Sequence, residues 1–265
     1  MVDLNPITAW RRLLALPNES RAKTLAMAFL VALVCTLMVT GATVILRPIQ
    51  AANRAAEQAA RLEALISGVP GMSDLLLQDG GALSTVVVDL NRGAAADVTP
   101  ATLAAALEDP AHWTELSAAQ DLAGLGRRPN YAQVYFLRDA SGDLSLVLLP
   151  VSGAGYNAPI NAIVALRADM NTIAGLAITG QSETPGLGGR IEEPAWLGQF
   201  PGKQVSDASG VVRFAVAKGS AGSAHEVDGI TGATRTSNAI THIMRFWLGP
   251  DGYGRLIDAI QRGEF

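Results

Sequence analysis

Four hydroxyl side chains, Thr231, Thr234, Thr236 and Ser237, fall within seven residues of this 265-residue chain. They belong to the stretch Asp228-Gly-Ile-Thr-Gly-Ala-Thr-Arg-Thr236. In the run that follows, Ile240, Ile243, Met244, Trp247 and Leu248 recur at helical spacing and share one face. Gly229 and Gly232 permit a tight backbone path ahead of that helix, and Thr236 or Ser237 is placed to cap its first turn. A bend of small residues opening a helix is a seat for phosphate, because unpartnered N–H groups and the positive dipole end converge there. The hydroxyls then have two possible roles: they donate hydrogen bonds to a phosphate, or one is joined to it as an ester. On spacing alone the ordinary reading is favoured, a hydroxyl-rich turn that caps a helix.

The elements that must position this turn lie upstream. Tyr131 to Arg138, Leu144 to Val151, Ala162 to Leu166 and Ile173 to Thr179 read as strands. Asp139–Gly142 and Asp169–Asn171 are turns between them, and such short connections imply antiparallel pairing. Val211 to Val216 is a further strand candidate, and a last helix is expected from Tyr253 to Ile260. The expected class is α+β, a twisted, mainly antiparallel sheet with helices packed on it. The stretch 67–130 is Ala-rich and carries no catalytic pattern. It offers a short strand at Val86–Leu90 and a helix over 101–108, capped by Thr99 with Pro100 at its first position.

A second loop invites chemistry. Gln181-Ser-Glu-Thr-Pro-Gly-Leu-Gly-Gly-Arg190 combines Pro185 with three glycines, so its backbone can approach a flat ligand closely. Glu183 and Thr184 are polar handles, and Leu187 can lie against a ring. Taken alone it is a plain turn. Gly153-Ala-Gly-Tyr-Asn-Ala158 fits a dinucleotide fingerprint on paper, but Pro159 and a strand follow where a helix must open. Glu192 and Glu193 before Pro194 read as a solvated turn. His112, His225 and His242 show no metal-ligand spacing.

Thr24 to Leu46 is an uncharged run of 23 residues, enough to cross a bilayer core of about 30 Å. It exceeds the roughly 7–15 apolar residues of a signal peptide, which makes it a retained anchor. Four basic residues precede it (Arg11, Arg12, Arg21, Lys23) and three follow (Arg47, Arg54, Arg61), which favours a cytoplasmic N-terminus and a body in the periplasm. With no Asp, Glu, Lys, Arg or His inside it, the span offers no ion pathway. Residues 48–66 read as an amphipathic stalk ended by Gly68-Val-Pro-Gly71. The net charge of −4 disfavours a nucleic-acid surface, and the single cysteine, Cys35, forms no disulfide within the chain.

The Asp228–Thr236 stretch resembles the flavinylation motif of covalent FMN-binding domains, in which an Asp precedes Ser/Thr-Gly-Ala-Thr and the last Thr carries FMN through a phosphoester. Carried over, that residue is Thr234. The same four-residue core recurs at Thr40-Gly-Ala-Thr43, within the apolar run and without the Asp. Glu183 to Gly189 is similar to the Glu-Thr-Pro-Gly-Leu-Gly loop that lies beside the flavin in that family. Beyond these motifs, Leu46 to Asn53 after a single span, the spacer, and Phe246-Trp-Leu-Gly-Pro-Asp-Gly-Tyr-Gly254 resemble the NqrC family of bacterial sodium-translocating NADH:quinone oxidoreductases. Gly155 to Ile160 departs from that family's Gly-Leu-Trp-Ser and is closer to the covalent-FMN subunit of the related Rnf complex.

The resemblance implies an electron-transfer subunit of an ion-translocating oxidoreductase, held in the bacterial inner membrane by one span, with no catalytic acid, base or nucleophile of its own. It implies the segments 1–23 (cytoplasmic), 24–46 (membrane span), 47–130 (stalk and spacer) and 131–265 (FMN domain). FMN is expected on Thr234, with Asp228, Thr231, Gly232, Ala233, Thr236, Glu183, Thr184, Gly186, Leu187, Gly188 and Tyr156 around it. The implied partners are the other subunits of the complex and a flavin transferase. The rival readings are an Rnf-type flavin subunit, exchanging electrons with ferredoxin or NAD, and a cofactor-free anchored assembly subunit.

Overall fold

The structure, a computed structural model, describes residues 15, 17, 20–21, 23–41 and 82–265. Helix α1, Lys23–Gly41, has 19 residues and a mean hydropathy of 2.2, long and apolar enough to cross a membrane by length and composition. The rest of the expected span, the stalk and Thr43 lie outside the described residues.

The folded domain is built on one six-stranded sheet, ordered β2-β1-β5-β6-β7-β8. Its strands are β1 (Ala82–Asp89), β2 (Ala94–Ala95), β5 (Tyr131–Arg138), β6 (Leu144–Ala154), β7 (Pro159–Arg167) and β8 (Ile173–Gly180). All neighbouring pairs are antiparallel, so the expected α+β class holds. The sheet begins at Ala82, within the expected spacer: β1 runs eight residues rather than five and pairs along β5 from Ala82↔Arg138 to Asp89↔Tyr131. Between them, α2 (Pro100–Ala106) starts where Thr99 and Pro100 predict, with the Thr99 and Thr102 hydroxyls 2.9 Å apart. β3 (Trp113–Glu115) and β4 (Arg127–Pro129) form a separate antiparallel pair.

Side chains alternate across the sheet with period two. One face of β5, β6 and β7 presents Val134, Phe136, Val147, Leu149, Val151, Ile160, Ala162 and Val164 to the core. Helices α4 (Thr234–Trp247) and α5 (Gly254–Gln261) contribute Ile240, Ile243, Met244, Trp247, Leu256 and Ile260 to the same core. This is the apolar stripe read from the sequence. The Phe246–Gly254 tail fixes α4 on the sheet, since the Trp247 indole donates to the Ser152 carbonyl at 2.6 Å and the Tyr253 hydroxyl to that of Pro150 at 2.7 Å. Burial pushes the Tyr253 phenol pKa up, so it stays a hydroxyl donor.

The strand expected over Val211–Val216 shrinks to β9 (Ala215–Val216), which pairs in parallel with β10 (Glu226–Val227). The reason is local. Asp207 accepts from the Ser209 amide at 2.9 Å and from the Arg213 guanidinium at 2.6 Å, so the preceding residues curl into a turn.

The β7–β8 turn is held by Asp169, which accepts from the Asn171 amide at 2.9 Å, the Thr172 amide at 2.8 Å and the Thr172 hydroxyl at 2.6 Å. Partial burial opposes the charge, but these hydrogen bonds outweigh it and hold the carboxyl below its ordinary pKa. Because the folded pKa is the lower one, this contribution is present above the ordinary value of about 3.9 and is lost as pH falls through the folded value. Asp169→Asn should therefore lower Tm measurably at neutral pH, and its melting curve should converge on wild type in strong acid.

Candidate functional site

The motif turn folds as its small residues require. Gly232 sits at φ +80°, where a Cβ would meet Leu187 Cδ2 at 3.1 Å. Gly229 passes so close to the Ala217 carbonyl that any Cβ would collide with it. Ala233 is the N-cap of α4 and no side chain caps the helix, so the helix opens at Thr234 itself. This corrects the expected cap. Thr236 and Ser237 lie inside the first turn, and their hydroxyls are used elsewhere. Ser237 Oγ accepts from the Ile230 amide at 3.3 Å, folding the turn back on the helix. Thr236 Oγ1 donates to Glu183 Oε2 at 2.5 Å.

The four hydroxyls thereby separate. Thr236 and Ser237 are buried, at 2% and 4% exposure, and engaged. Thr231 and Thr234 are exposed, and Thr234 is the first helical residue. The first-turn N–H groups at that end have no partner within the helix, and the first turn holds no acidic side chain. Arg235 sits beside Thr234, with its guanidinium carbon 5.0 Å from the centroid of the Tyr156 ring. A cation at a helix N-terminus is disfavoured by the dipole unless an anion joins it. An exposed hydroxyl, an uncapped helix start and a cation are a donor set that fits a flavin phosphate.

The loop of glycines does two jobs rather than one. Gly186, at φ +75°, faces open space, and Leu187 beside it is 44% exposed, as an apolar wall for a flat ligand must be. Gly188 faces inward instead. A Cβ there would stand 2.5 Å from Thr236 Oγ1 and 2.8 Å from Glu183 Oε2. Glu183 is itself 4% exposed, with Oε1 accepting from the backbone amides of Tyr156 at 2.8 Å and Asn157 at 3.1 Å. Thr184 is exposed and its Oγ1 accepts from Asn157 Nδ2 at 3.2 Å. The structure thus brings Glu183, Thr236, Gly188 and Tyr156 together, with the Glu183 carboxylate turned inward onto the protein's own donors.

Asp228, expected beside the flavin, is held by three contacts of its own. Its Oδ1 accepts from the Ala221 amide at 2.7 Å, its own amide donates to Gln199 Oε1 at 2.8 Å, and its carbonyl accepts from the Trp196 indole at 2.9 Å. It braces the approach to the turn. Trp196, on α3 (Pro194–Leu197), and Gln199 carry no signal in the sequence. Arg235 stands inside the motif, where its charge at a helix start is the signal that could have found it. Next to Tyr156, a groove of about 410 Å³ runs between the β6–β7 hairpin tip and Gly124–Leu125, lined also by Ser152, Asn157 and Asn161.

The two loop glycines separate by experiment. Gly188→Ala pushes into the Glu183–Thr236 hydrogen bond and should destabilise by about 1–3 kcal/mol in chemical denaturation. Gly186→Ala meets no atom and should cost only about 1 kcal/mol, from its left-handed backbone.

Residues 155–249 match the sequence profile of the FMN-binding domain family, a span that holds both loops and the whole of α4. The chain is 37% identical over 259 residues to the NqrC protein of the Na(+)-translocating NADH-quinone reductase of Pseudomonas aeruginosa, covering 93% of this chain and 98% of the relative. It is 35% identical over 251 residues to the corresponding protein of Pasteurella multocida, covering 93% and 96%. The crystal structure of Shewanella oneidensis NqrC superposes with a TM-score of 0.62 at 28% identity, over 72% of this chain and 88% of that one. With the FMN-binding profile matched across both loops, the fold in common with the crystal structure and nearly the full length of the two sequence relatives covered, the chain belongs to the NqrC family of Na(+)-translocating NADH-quinone reductase subunits.

Proposed function

We propose that this chain is the membrane-anchored, FMN-carrying electron-transfer subunit of a sodium-translocating NADH:quinone oxidoreductase complex, with FMN esterified to Thr234. One observation carries the attachment: of the four motif hydroxyls, Thr234 is both exposed and the first residue of an uncapped helix. In forming the ester, Thr234 Oγ1 bonds to phosphorus, a P–O bond of an activated flavin nucleotide breaks, and the hydroxyl proton leaves with the displaced group. A separate flavin transferase carries out that step, since no nucleotide-processing motif is present in this chain.

When bound, FMN supplies reversible electron uptake, and the protein supplies position and electrostatics. The α4 N-terminus and Arg235 are the positive groups that would meet the ester's negative charge. Tyr156, 54% exposed, and Leu187 offer flat and apolar surface for the ring. The buried Glu183 and Thr236 hold the surrounding backbone. Asp228 shapes the turn that a transferase must recognise. Thr231 stands exposed beside Thr234 and is the alternative acceptor that a positional test must separate from it.

In this reading α1 anchors the chain in the bacterial inner membrane and residues 82–265 face the periplasm, where a dissociated flavin could not readily be replaced. The other subunits of the complex donate and accept its electrons and move the sodium. Thr234→Ala should abolish covalent flavin, and Thr43→Ala should retain it, as read by ultraviolet fluorescence of the denatured protein in a gel. A fluorescent Thr234→Ala band contradicts the assignment. Protease added to intact spheroplasts should digest the folded domain, whereas protection there with digestion in inverted vesicles would reverse the topology.

A further inference from the structure

Glu183 presents a carboxylate buried to 4% exposure that accepts three hydrogen bonds and has no ion pair among the described residues. Removing such a group from water is costly unless hydrogen bonds replace its hydration. Its donors come from two separate segments. The Tyr156 and Asn157 amides belong to the β6–β7 hairpin tip, and the Thr236 hydroxyl belongs to the first turn of α4. The space around it is cut to size by two glycines. A Cβ on Gly155 would stand 2.6 Å from Oε1, and one on Gly188 would stand 2.8 Å from Oε2. Hydrogen bonds to a charged acceptor are the stronger kind, and here three of them converge on one carboxylate.

From this we infer that Glu183 is a positioning residue: it locks the helical turn presenting Thr234 to the hairpin tip carrying Tyr156, and so fixes the site without touching the cofactor. The inference rests on the reading of Thr234 as the attachment point of FMN. The Arg235 guanidinium over the Tyr156 ring is the outer face of the same junction. The carboxylate beneath it sets the distance between the attachment turn and the tip.

Two substitutions separate position from charge. In Glu183→Gln the amide oxygen can still accept from the two backbone amides, and the Thr236 hydroxyl can turn to accept from the amide nitrogen. Glu183→Ala removes all three bonds. Each variant, made with a flavin transferase, is assayed for covalent FMN yield, for the visible circular dichroism of the flavin, and for hydrogen exchange at the Tyr156 and Asn157 amides. The expected result for Glu183→Ala is exchange faster by about tenfold or more, covalent FMN reduced several-fold, and an altered flavin dichroism. Glu183→Gln should restore all three toward wild type. Should Glu183→Ala fail to fold, Thr236→Val, which cuts only the link to α4, takes its place: reduced covalent FMN and altered dichroism are expected, and wild-type values for both overturn the inference. An alanine variant whose flavin yield and dichroism match wild type overturns the inference, even if its amides exchange faster. Wild-type protein without covalent flavin overturns instead the reading on which the inference rests.

Discussion

A carboxylate can stay buried without a cation only where fixed donors stand in for water, and this domain supplies them at Glu183. The hydrogen bond from Thr236 ties residues 53 apart in sequence. It decides where the first turn of α4 lies relative to the sheet. The tail does the same at the other end of the helix, through Trp247 to Ser152 and Tyr253 to Pro150. Hydrogen-bonded at both ends, α4 carries Thr234 on a frame set by the sheet and the Glu183 loop.

That frame sorts four chemically similar hydroxyls into two pairs. Thr236 and Ser237 are consumed by packing, one by Glu183 and the other by the Ile230 amide. Thr231 and Thr234 remain outside. Of these two, Thr234 alone lies within the helix, where the dipole and the unpartnered amides favour negative charge. Arg235 adds a full positive charge at the same place. The selectivity proposed for flavin attachment therefore has a structural basis that does not need Thr234 to be an activated nucleophile.

Much of this is legible in the sequence. Runs of strand-forming residues bounded by turn residues locate β5 to β8, and the apolar repeat from Ile240 to Leu248 locates α4, because burial on one face leaves that trace. Thr99 and Pro100 mark the start of α2. Resemblance identifies both loops. The inward turn of Glu183 leaves no such trace, because its polar, glycine-rich neighbourhood looks like a solvated loop and its partners are distant in sequence. The expected cap fails because α4 opens at Thr234, which puts Thr236 and Ser237 inside the first turn rather than before it. At Val211–Val216 the β-branched residues suggest a strand, but Asp207 captures the chain into a turn. The contacts of Asp228 with Ala221, Gln199 and Trp196 also join segments distant from one another in sequence, so no local pattern announces them.

In the proposed site the exposed hydroxyl at the helix start, and no other, carries the flavin phosphate. Fragmentation mass spectrometry of a peptide spanning Asp228 to Arg245, from protein matured with a flavin transferase, measures this directly. The added mass of FMN less water should map to Thr234 alone. Assignment of that mass to Thr231, Thr236 or Ser237, or recovery of only the unmodified peptide, would contradict it.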